Sequence, residues 1–108
     1  MGKAVWVSFD LGVRGDYDGF YTWLDSKSAI ECGGNLAFFN YSAAGDIIES
    51  LKSEIKEHVE IARKTRIYVI YRDPKTKKMK GKFVFGTRKA APWTGYAGGP
   101  GQDEEEEV

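Results

Sequence analysis

A single cysteine and a single histidine stand among 108 residues. Cys32 alone cannot close an internal disulfide, and with His58 it cannot make the Cys/His set of a zinc site within one chain. No apolar run approaches the ~20 residues that a membrane-spanning helix requires, so no membrane partner is expected. The N-terminus has no basic stretch leading into an apolar one, and Trp6 occupies the position where a myristoylation motif needs Ser or Thr. A cytoplasmic location follows as the expectation. Glycine-rich phosphate loops of the Walker or dinucleotide type are missing. Net charge is missing too, with 16 basic and 16 acidic side chains.

What is present points to one folded unit. Hydrophobic residues make up 42% of the chain and charged residues 30%, a balance that supports a packed core. The zero net charge hides a segregation. Residues 1–62 hold five basic and ten acidic side chains; residues 63–89 hold eleven basic ones against Asp73 alone. Residues 90–108 hold five acids, Asp103 to Glu107, and no base. The positive block suits a polyanion. The acids follow Gly98-Gly99-Pro100-Gly101, which cannot bury apolar surface. The expected organisation is one domain over 1–97 and a flexible acidic tail over 98–108. That tail serves solubility, or folds back to compete with an anionic ligand.

Periodicity supplies the elements. Ala4 to Leu11 alternates, with Val5, Val7, Phe9 and Leu11 on one side and Trp6, Ser8 and Asp10 on the other, which predicts a strand. Asp16 caps a short helix with Tyr17, Phe20, Tyr21 and Leu24 on one face, and Gly19 inside it demands tertiary support. A strand over Ala29–Cys32, a Gly33-Gly34-Asn35 turn and a strand over Leu36–Tyr41 form a hairpin. Asp46 and Glu49 open a second helix, whose stripe is Ile47, Leu51, Ile55, Val59 and Ala62. Arg66–Arg72 is a strand. Lys75 to Gly81 is expected to form a basic hairpin tip, with the last strand over Lys82–Arg88 and an aromatic arm at Pro92–Tyr96.

The order β-α-β-β-α-β plus one strand predicts an α+β, ferredoxin-like fold: an antiparallel sheet, two helices on one face, and an extra C-terminal strand. Its other face is then open. Trp6, Tyr68, Ile70 and Val84 are expected there, a patch that calls for a partner. A homodimer is expected, through the open faces or the added strand.

The opening strand Val7-Ser8-Phe9-Asp10-Leu11, followed by a loop containing Gly and Arg and then a helix, resembles the small CRISPR-associated ferredoxin-like endonuclease family and the related endoribonuclease antitoxins. The likeness spans residues 4–73 as an order of elements. It implies a dimer in which the two first-strand aspartates face each other, and in some members this pair holds a divalent metal for nucleic-acid cleavage. Asp10 is the position that matches, as candidate catalytic residue and Mg2+ ligand. Arg14 lies in the corresponding loop as a candidate phosphate contact.

Each candidate has a plainer reading. Asp10 also suits a hydrogen-bonded turn with Gly12, and Asp16 and Asp18 suit the first turn of a helix. His58 suits a helix surface paired with Glu54, and Cys32 a small strand position. The strongest functional signal is Lys75, Lys77, Lys78, Lys80 and Lys82, flanked by Arg72, Arg88 and Lys89. These cations can reach phosphates, and Tyr68, Tyr71, Phe83, Phe85 and Trp93 supply rings for bases. The expected function is binding of RNA or DNA by a homodimer, with kinship to metal-dependent nucleases. The alternative is a non-catalytic interaction module that uses the open sheet face, its lysines protecting an exposed edge.

Overall fold

Alternating burial along Lys3–Asp10 drives the architecture: Val5, Val7 and Phe9 are buried while Trp6, Ser8 and Asp10 stay partly exposed. The computed structural model describes residues 2–43 and 45–98. Beyond Gly98, the predicted acidic tail lies outside the described residues. The elements are β1 (Lys3–Asp10), α1 (Tyr17–Ser26), β2 (Ile30–Glu31), β3 (Leu36–Tyr41), α2 (Ile47–His58), β4 (Arg66–Arg72) and β5 (Met79–Phe85). The fold is α+β. All strands join one antiparallel sheet in the order β2-β3-β1-β4-β5. No helix among the described residues is long and apolar enough to cross a membrane.

Both helices cover the face that carries Val5, Val7 and Phe9. Ring contacts stitch the layers together: Phe9 to Phe20 at 4.7 Å, Phe20 to Trp23 at 5.7 Å and Trp23 to Phe39 at 5.5 Å. Such pairs contribute ~0.5–1.5 kcal/mol each beyond their buried area. The helix stripe differs from the one expected: Trp23 is 1% exposed, whereas Tyr21 is 51% exposed and sits on the shoulder. The indole takes the central position because its N–H has a partner there. It donates to Glu54 at 2.8 Å, which makes burial of the large ring affordable.

Asp16 does more than cap. One carboxylate oxygen accepts from the Gly19 amide and the other from the Glu60 amide, each at 2.9 Å, so the start of α1 is tied to the chain leaving α2. A Cβ at Gly19 would run into that carboxylate and come within 2.9 Å of the His58 carbonyl oxygen. This close approach explains a glycine inside a helix. It also marks where α2 stops. The helix ends at His58, Val59 turns extended yet stays buried, and Ala62 lies past the helix that the stripe predicted.

The C-terminal hairpin departs most from expectation. β5 covers Met79–Phe85 rather than 82–88, and the tip is Asp73–Lys78. The turn is closed by Asp73 N–H to the Lys78 carbonyl and Lys77 N–H to the Asp73 carbonyl, both 2.8 Å, with Lys77 at φ 64°. Gly86, at φ 81°, ends β5 over the Thr65 carbonyl, where a Cβ would come within 2.8 Å. A bulge at Ile67/Tyr68 shifts the register, so Phe85 pairs with Ile67 and Phe83 with Tyr68. Val84, expected on the open face, is instead 4% exposed in the core, because it alternates with open-face Phe83 and shares the helix side with Lys82; the bulge leaves it without a partner in the register. β2 shrinks from Ala29–Cys32 to two residues.

Candidate nucleic-acid interface

Pairing register arranges the helix-free face in transverse rows. Ile30, Phe38, Trp6 and Ile70 stand side by side across β2, β3, β1 and β4. Leu36, Ser8, Tyr68 and Phe83 form the next row, and Asp10 opposite Arg66 the last. Trp6 and Phe38 stack with centroids 5.1 Å apart; Tyr68 and Phe83 meet edge-on at 4.8 Å. The Tyr68 ring also lies across Gly81, where a Cβ would displace it.

At the Asp10 end, cations and rings converge. The Arg88 guanidinium lies 5.6 Å from the Tyr68 centroid and 5.4 Å from Phe83, and Arg66 lies 5.8 Å from Phe83. These separations fall in the cation–π range of ~6 Å. Trp93 of the arm completes a cavity of about 340 Å³ over this cluster. It keeps 73% of its surface exposed, so the arm borders the open face without covering it. Arg66 is held by one bond, Nη1 to the Thr87 carbonyl at 3.2 Å. Its Nη2 stands 3.8 Å from Asp10, an ion-pair separation too long for a hydrogen bond, and its Nε is shielded from solvent without a partner.

Asp10 takes the turn role. It accepts from the Gly12 amide at 3.2 Å, and Gly12 supplies the φ of 76° that the bend requires. The magnesium expectation requires carboxylates in reach of one another. Asp16 is spent on two backbone amides, and no group of three or more acid, His or Cys side chains gathers among the described residues. One chain thus offers a single carboxylate facing a guanidinium, and the expected pair takes its second carboxylate from another copy of the chain.

The remaining candidates divide between two ends of the sheet. Arg14 is exposed in the loop after β1, lining a shallow hollow with Asp16 and Glu60. Arg72, Lys75, Lys77 and Lys78 lie at the opposite end, roughly 20 Å from Asp10 at ~3.3 Å per strand residue. Arg72 donates through Nε to the Lys77 carbonyl at 3.2 Å, bracing the tip. Lys80 and Lys82 are strand residues opposite Tyr71 and Val69, which places them on the helix side. Lys80 pairs with Asp73 at 2.7 Å. That contact, with the Lys75 amide, holds the Asp73 carboxyl down at about 2, and Asp73 in turn raises the Lys80 ammonium. The lysine set is therefore split: Lys75, Lys77 and Lys78 form the tip, while Lys80 and Lys82 do not share the open face.

Arg66 belongs with the site although the sequence marks it only as a strand end; its alternation with Tyr68 and Ile70 is the signal for the open face, and register alone sets it opposite Asp10. A second polar cluster was not foreseen. Between the helices, Glu54 accepts from Trp23 and, at 3.1 Å, from the Tyr41 hydroxyl, and it pairs with Lys27; Tyr41 also bonds Ser50 at 2.7 Å. Burial pushes the Glu54 carboxyl up, but Lys27, Trp23 and Tyr41 together outweigh it, leaving the group below its ordinary value. Burial raises the Tyr41 hydroxyl, with the Glu54 charge adding to it against Ser50. His58, expected to pair with the Glu54 side chain, instead contacts its backbone carbonyl at 2.9 Å, because the carboxylate is engaged inward. Cys32 is exposed.

Comparison of the chain with protein-family models, with curated proteins and with solved structures gives no match.

Proposed function

We propose that the chain is a homodimeric nucleic-acid-binding protein on a ferredoxin-like core. Support for that core is the strand order: β3 separates β1 from β2, and β1 separates β3 from β4, so each strand-helix-strand unit is split by another strand. Kinship with the small CRISPR-associated endonucleases is proposed for architecture; no cleavage step is assigned to Asp10. One observation carries the binding reading: Arg66 and Arg88 lie over exposed-face rings beside Trp93, at one end of a sheet whose other end carries the lysine tip. Cations for phosphates and rings for bases occur together on a face that no helix covers.

The test is fluorescence anisotropy with labelled RNA and DNA oligonucleotides across a salt series. Affinity falls linearly on logarithmic axes, and replacing Lys75, Lys77 and Lys78 by alanine lowers the slope by up to about one unit per lost phosphate contact. If neither the full chain nor a chain ending at Tyr96 binds RNA or DNA at low salt, the reading is abandoned. The row Ile30, Phe38, Trp6 and Ile70 favours a second reading, a module that binds only protein, its own copy included. That module forms a complex through this row and ignores polyanions.

A further inference from the structure

We infer that the cavity between β4, β5 and the aromatic arm is a subsite for one unpaired nucleotide, its base stacked on Trp93 and its phosphate held by Arg66 and Arg88. The inference rests on the nucleic-acid reading and narrows it to single strands. A volume of about 340 Å³ lies at the low end of the roughly 300–1,000 Å³ typical of small-ligand pockets, room for one nucleotide rather than a base pair. Trp93 is 73% exposed and offers a ring face to a ligand. Tyr68 and Phe83 form the floor, but each already carries the Arg88 guanidinium, so they orient the cation rather than take the base.

The donors are placed and not consumed. Arg88 makes no hydrogen bond or ion pair among the contacts of the described residues, and Arg66 has Nη2 hydrogens directed at no acceptor within bonding distance. A guanidinium within cation–π distance of a ring still has N–H groups to donate, in pairs, to a phosphate. Asp10 at the same end adds an acceptor, which suits the amino group of adenine, cytosine or guanine and not the carbonyl edge of uracil or thymine. A paired base inside a duplex keeps both faces stacked on its neighbours, so its ring is closed to Trp93. The lysine tip, roughly 20 Å along the strands, remains the unselective contact for either form.

Tryptophan emission and anisotropy together test this on the full chain at low salt, with single-stranded RNA and DNA octamers of adenine or of uracil/thymine and a blunt DNA duplex. The assay is run in a Trp6→Phe background, because Trp6 is partly exposed on the same face; Trp23 is buried, so quenching there reports mainly Trp93. Adenine octamers are expected to quench emission and bind more tightly than uracil or thymine octamers, and the duplex is expected to leave emission unchanged. Trp93→Ala should weaken octamer binding at least about fivefold, the low end for loss of one stacked base, with duplex binding unaltered. Arg88→Gln should weaken the octamers similarly, and Trp93→Phe should remove the quenching while retaining most of the affinity. Equal losses for octamer and duplex, or quenching that survives Trp93→Phe, overturn the subsite and leave nucleic-acid binding standing. Absence of binding by every probe overturns both.

Discussion

Asp16 and Gly19 show how one side chain sets the identity of another. The carboxylate bridges the amides of Gly19 and Glu60, which join the start of α1 to the end of α2. Those two hydrogen bonds, Glu60 foremost, draw the Asp16 carboxyl below its ordinary value. In an isolated helix, Gly→Ala gains ~0.5–1 kcal/mol. Here the added methyl would collide with the carboxylate and press on the His58 carbonyl. Gly19→Ala is therefore expected to destabilise the protein by about 1–3 kcal/mol, the range for overpacking, with the urea midpoint falling at unchanged slope. A midpoint that rises would mean that helix propensity decides this position and that the bridge yields.

At the scale of elements, the clearest parts of the chain are those whose patterning has one solution. Leu36–Tyr41 and Arg66–Arg72 were legible to the residue, since a short run of apolar and aromatic residues set off by a turn or by flanking arginines permits a single strand. The caps Asp16 and Asp46 were legible because a carboxylate before a helix has a local partner. The last hairpin was not, for a nonlocal reason: its limits are set by the pairing of Arg72 with Met79, by Lys77 at positive φ, and by the bulge that leaves Val84 without a register partner. Arg66 escaped notice at the site because only register puts it opposite Asp10. The same hairpin yields a pH prediction. The Asp73 carboxyl is depressed from 3.8 to about 2, chiefly by Lys80 and then by the Lys75 amide. A depressed acid contributes its stabilisation fully above its ordinary value and loses it as the pH falls through the folded one. The tip is expected to keep its native Lys75 and Thr76 amide shifts by NMR down to about pH 3 and to lose them toward pH 2. In Asp73→Asn these shifts are already displaced at neutral pH and do not titrate. A midpoint near 3.8 would show that the Lys80 contact does not persist in solution.

For the whole molecule, two demands fall on one sheet face, and the rows separate them. Charge and exposed rings gather at the Asp10 end, and the lysine tip stands at the other. Between them runs a band with no charge, Ile30, Phe38, Trp6 and Ile70, in which Ile30 is 59% exposed. An apolar band flanked by cations can bury itself against a second copy while leaving both basic ends at the margin of the contact. The arm does not shield it, since Trp93 sits at the Asp10 end and remains largely exposed. A two-fold contact repeats every substitution on both sides, so one charge per chain brings two like charges into the same apolar seam. Sedimentation equilibrium is expected to give twice the 12.1 kDa chain mass for the natural sequence. Ile30→Asp, at an edge position that the core does not use, should shift the equilibrium to the single chain with the urea midpoint of the monomer preserved. Oligonucleotide affinity per chain should fall only by the loss of two linked sites, because both basic ends remain intact. A natural chain that sediments as one copy at every concentration would remove the band from the dimer and leave it free as a surface for a different protein.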